Sequence, residues 1–104
     1  MKIKTKKRIN VCGAWYTVVF EKFDGEDEAD YGQCSYNDRK IRINEEVPEN
    51  RVESIVAHEI CHAVLDQHRI DVLLEKYVSE EVRSEIEEAI CRAMENGYKA
   101  FRNI

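Results

Sequence analysis

This 104-residue chain contains one proline, four glycines, one tryptophan and three histidines. With so little proline and glycine, neither a collagen-like repeat nor a flexible linker is available. No apolar run approaches the length that spans a bilayer, so a membrane protein is not expected. The lysines at the start are not followed by the apolar core of a secretory leader. A cytosolic setting with reduced thiols is therefore expected. The four cysteines, Cys12, Cys34, Cys61 and Cys91, form no C-x-x-C pair, which leaves a cysteine zinc knuckle unsupported. Cys61 and Cys91 fall in helical patterns and read as small buried hydrophobes. Cys12 and Cys34 lie near strand ends, where a metal or redox role is the alternative to plain core.

Nor is there an excess of positive charge. The formal net charge is -5, so no general attraction to nucleic acid follows. The charge is uneven: Lys2, Lys4, Lys6, Lys7 and Arg8 make the start basic, and residues 21–30 are acidic. Both read as solvated surface, with salt-sensitive DNA binding by the basic strand as the alternative. A content of 43% hydrophobic and 36% charged residues is that of a globular chain. At this length one domain over residues 1–104 is expected, with strands in about 2–44 and helices in about 48–102.

Strand patterns come first. Residues 2–11 alternate, Cys12-Gly13 is a turn, and residues 15–20 are aromatic and β-branched, which together suggest a hairpin. An acidic loop over 23–30 leads to a strand over 31–36, a turn at Asn37-Asp38, and an alternating strand over 39–44 read as half-buried or at an edge. Pro48 opens a helix that runs to about Gln67. A short helix is open for 69–78. The last helix begins at Ser79 or Ser84 and runs to about Phe101, with Ile86, Ala89, Ile90, Ala93, Met94, Gly97 and Phe101 at helical spacing. Strands followed by helices specify an α+β fold, here a small antiparallel or mixed sheet of three or four strands with an active-site helix and a C-terminal helix.

The chemistry lies in His58-Glu59-Ile60-Cys61-His62, an H-E-x-x-H run. Residues four apart share one helix face, so both imidazoles can reach one metal ion, with Glu59 beside them as general base. The apolar residues Ile55, Val56, Ile60, Ala63, Val64 and Leu65 around the motif make this a mostly buried helix, where idle histidines are costly. The ordinary alternative is a histidine pair satisfied by hydrogen bonds.

A catalytic zinc needs a third protein ligand. Glu88 on the last helix is favoured, with Glu85 and Glu87 as alternatives. Ser84-x-x-Glu87 fits a capping box, which would engage Glu87 with the backbone. On a helical wheel Glu88 lies away from the centre of the apolar stripe and Glu85 nearer its edge, which counts against Glu88. His68 has metzincin spacing, but Leu65 stands where that arrangement needs glycine. Asp66 and Glu53 are candidates to orient the imidazoles. Tyr77, Tyr98, His68 and, more remotely, Tyr36 are candidate oxyanion donors. If residues 39–44 form an edge strand, Arg39, Ile41 and Ile43 are the place for an extended peptide substrate.

The chain resembles the small zincin-like metallopeptidases of bacteriophages and prophages. The resemblance rests on residues 16–20, Tyr31-Gly32-Gln33-Cys34-Ser35-Tyr36, Ile41-Arg42-Ile43, residues 58–65, and Glu87-Glu88-Ala89-Ile90 through Tyr98. In active-site layout it is similar to the ImmA/IrrE-type metalloproteases and, more distantly, to SprT-like proteases. That likeness implies a minimal zincin fold, a zinc cofactor, a protein or peptide substrate, and a setting in the bacterial host cytoplasm. A non-catalytic zincin-fold module of phage origin, binding another protein around a structural zinc, is the alternative.

Overall fold

The computed structural model describes residues 6–23 and 31–102. The expected strand therefore loses residues 2–5 to the undescribed segment, and the acidic loop expected at 23–30 lies, after Phe23, outside the described residues. Four strands, β1 (Lys7–Val11), β2 (Ala14–Glu21), β3 (Gly32–Ser35) and β4 (Lys40–Asn44), precede three helices, α1 (Val52–Gln67), α2 (Ile70–Glu75) and α3 (Glu80–Arg102). This is the small α+β architecture of a minimal zincin-like fold, with a mixed four-stranded sheet ahead of its helices.

The β1–β2 hairpin pairs Val11 with Ala14 across the turn. Cys12 and Gly13 both take positive φ there, 53° and 95°. Two successive left-handed residues give the turn the twist that matches its strands. Trp15 is half exposed and stacks beneath Arg8, so one basic residue of β1 has a structural use.

The sheet order is β1-β2-β4-β3. β2 and β4 pair in parallel, with Val18 opposite Ile41 and Phe20 opposite Ile43, whereas β3 lies antiparallel on the far side of β4. This corrects the edge-strand expectation for residues 39–44. β4 is interior, and Ile41 and Ile43 are fully buried in the core. Arg39 stands just before the strand in a left-handed turn, φ 51°. Ile41 and Ile43 are not available to an extended peptide, and the edges of the sheet are β1 and β3.

Period-two alternation sends Tyr16, Val18, Ile41 and Ile43 to one face, where α1 covers them with Ile55 and Ala63. Pro48 starts a short 3-10 turn, Glu49–Arg51, that runs directly into α1. After α1, Arg69 adopts a left-handed conformation (φ 58°) that reverses the chain into α2. Ser79 begins α3, its Oγ accepting the Val82 N–H at 3.4 Å. Ser84 is thus inside the helix and forms no capping box with Glu87. No helix among the described residues is long and apolar enough to cross a membrane.

A candidate metal centre between two helices

α1 and α3 pack side by side. His58 meets Glu95 and His62 meets Glu87, so the helices run in opposite directions. On α1, the four-residue spacing aligns both imidazoles on one face, ring centroids 5.1 Å apart. His58 and Glu59 are both buried. On α3, the face turned to α1 is the one with Glu87, Glu88, Cys91 and Glu95. The apolar stripe of α3 faces elsewhere, so the wheel argument against Glu88 fails: the stripe does not mark the side facing the site.

Each ring has an orienting carboxylate. Glu95 Oε1 lies 2.8 Å from His58 Nδ1, and Glu87 Oε1 lies 2.8 Å from His62 Nδ1. Each carboxylate is itself held. Arg51 donates to Glu95 at 3.0 Å, and its guanidinium lies over the Tyr31 ring. Tyr36 donates its hydroxyl to Glu87 at 3.0 Å. Burial first, then the neighbouring Glu87 carboxylate, pushes the Tyr36 phenol above its ordinary pKa, so it stays protonated and keeps donating. Two chains thus converge on the histidines from tyrosines at either end of β3. Asp66 and Glu53, expected in this role, are not the Nδ1 partners. Glu95 escaped the sequence reading, although it lies one heptad from Glu88 and so on the same face of α3.

With Nδ1 occupied by a carboxylate, a neutral imidazole presents an Nε2 lone pair. Both Nε2 atoms point at Glu88, His58 at 2.9 Å from Oε1 and His62 at 3.2 Å from Oε2. Two lone pairs facing a carboxylate are reconciled by a metal cation between them, as protons on Nε2 would also do. Among the described residues, His58, His62 and Glu88 form a group able to hold a metal ion, with ligand atoms all within 4.8 Å of one another. Two nitrogens and one oxygen are the donor set of a catalytic zinc site that keeps a fourth position open. The residues fit the ion.

The other third-ligand candidates lie elsewhere. Glu87 serves His62 and Tyr36, and Glu85 is exposed outside the group. His68 caps the far end of α1, with Nε2 3.6 Å from Cys12 Sγ. Of the candidate oxyanion donors, Tyr36 lines the cleft; Tyr77 is exposed in the turn after α2, and neither it, Tyr98 nor His68 lines the cleft.

The cleft has a volume of about 630 Å³ and is bordered by β3 on one side and α3 on the other. Gly32 is decisive for its shape: a Cβ there would lie 2.8 Å from Glu59 Cγ and 2.9 Å from Oε2. The Glu59 carboxylate occupies the space that a side chain on β3 would take. Cys34, also on β3, lines the cleft, and burial, then Glu59, Asp66 and Glu87, push its thiol up to about 12. It is a neutral thiol, not a thiolate ligand. Cys12 sits apart in the hairpin turn, so the two do not share a site.

Family comparison matches residues 16–95 to the IrrE N-terminal-like domain of the M78 peptidases. The chain belongs to that family. The matched segment runs from the buried Tyr16 of β2 to Glu95, the partner of His58, and so spans all of the geometry above. A metallopeptidase-type domain is therefore the class of this protein. No curated protein and no solved structure matches the chain.

Proposed function

We propose that the chain is a zinc-dependent endopeptidase acting on a protein or peptide substrate. The observation that carries this reading is the convergence of His58 Nε2, His62 Nε2 and Glu88, with the Glu59 carboxylate buried alongside in an open cleft. His58, His62 and Glu88 would hold the ion, which supplies Lewis acidity to water and to the scissile carbonyl. Glu87 and Glu95 keep the two imidazoles in the tautomer that directs Nε2 inward. Glu59 accepts the proton of the attacking water and returns it to the leaving amine. Gly32 keeps that carboxylate against the strand, close to the reacting groups.

The substrate is expected along β3 rather than β4. β3 ends the sheet among the described residues, and its outer edge borders the cleft. An extended peptide adding to that edge passes beside Glu59 and between the two tyrosines. Free cysteines at all four positions support a reducing, cytosolic setting. A module that merely held an ion would have no use for Glu59 at this spot, which supports a peptidase over a binding module. The test is Glu59→Gln, assayed on denatured protein substrates and by elemental analysis. Zinc should stay near one per chain while cleavage falls by about 10²–10⁴-fold. Cleavage at the parent rate by a zinc-loaded variant would sink the reading.

A further inference from the structure

α3 carries a second surface, on the side opposite its glutamates. Val82, Ile86, Ala89, Ile90, Ala93, Met94 and Gly97 follow one another at helical spacing along this side. Val82, Ile90 and Met94 are each about 40% exposed (41%, 40% and 43%), Ala89, Ala93 and Gly97 are exposed, and Ile86 is half-buried. A 23-residue helix is about 34 Å long. Arg83 shares this side one heptad before Ile90, but from Ile86 to Gly97 the face is apolar, which is not what a solvated helix presents.

We propose that a second copy of this chain docks here, α3 against α3 in the antiparallel sense about a twofold axis. Charge selects that occupant. Glu85 and Arg92 are exposed, one heptad apart, along the same flank of the stripe. No ion pair engages either among the described residues. An antiparallel pair centred at the level of residues 87 and 88 packs Ile86 against the partner's Ala89 and Val82 against the partner's Ala93. The same register sets each Glu85 beside the partner's Arg92, twice by symmetry. A parallel pair would set Glu85 beside Ile90 and Arg92 beside Gly97, with no such match. The surface is smaller than a standard interface, so the dimer is a weak one, with a dissociation constant in about the micromolar range. It leaves the cleft on the opposite side of α3 open.

The experiment is sedimentation equilibrium on the whole chain from about 1 µM to about 1 mM, for the parent, Glu85→Arg, Arg92→Glu and the double variant. Circular dichroism on each confirms the fold, and two single variants guard against loss of one. The parent should dimerise. Each single variant should dimerise roughly tenfold more weakly, since like charges then face each other, and the double variant should return to the parent's constant. A parent that stays monomeric throughout overturns the proposal and assigns the stripe to a different protein or segment. A dimer indifferent to the charge reversals, or a double variant no better than the singles, overturns it equally.

Discussion

The two sides of α3 contrast in a way opposite to the usual rule for helices. The inward side carries Glu87, Glu88 and Glu95, and the outward side carries isoleucine, valine, methionine, alanine and glycine. An amphipathic helix ordinarily turns its apolar face to the core because burying apolar area is favourable and burying carboxylates is costly. Here the carboxylates go inward because imidazoles and an arginine meet them there. Packing on that side is left to small residues such as Cys91, which is fully buried and in contact with Cys61. A helix face committed to chemistry cannot also be the greasy face, and the apolar residues of α3 are left for something else.

Substitutions on the two sides should separate cleanly. The largest effect is expected at the centre of the inward side. Glu88→Gln removes the carboxylate that faces both Nε2 atoms, so elemental analysis should find stoichiometric zinc lost and peptidase activity with it. Full zinc occupancy in that variant would show that the inward side is not a ligand face. Glu95→Gln should do less. It weakens the hold on the His58 ring and leaves Arg51 without its charged partner, with zinc affinity falling by about 10–100-fold in a competition titration with a chelator. An unchanged affinity would reduce Glu95 to a structural salt bridge. The smallest effect belongs to the outward side: Ile90→Ser, in dilute solution where the chain is monomeric, should alter unfolding free energy by no more than about 0.5 kcal/mol and leave zinc affinity alone. A large loss in chemical denaturation would mean that the stripe is core after all.

The same contrast explains which parts were legible beforehand. His58, Glu59 and His62 sit on one helix at a spacing whose geometric meaning is local, so the sequence suffices. The hairpin and α1 are local as well, set by Gly13 and Pro48, while the start of α3 was open between Ser79 and Ser84. Whatever depends on which elements become neighbours was harder. β4 looks like a half-buried or edge strand because its residues alternate, yet β2 pairs with it in parallel from across the chain, and β3, earlier in sequence, takes the outside place. Glu95 was passed over because glutamates on helices are usually solvated, and only the antiparallel approach of α1 singles it out. The stripe on α3 misled for the same reason: periodicity marks a face but does not say what that face meets.

Cys12, Arg39 and Arg69 all hold left-handed backbone that glycine or asparagine would adopt with less strain. At about 1 kcal/mol apiece, they forgo stability on the order of 3 kcal/mol, a noticeable fraction of the roughly 5–15 kcal/mol by which such domains stay folded. The chain bends at these three corners at a thermodynamic disadvantage, so the protein is tuned short of its attainable robustness, and its loops rather than its core are where an engineer would recover it.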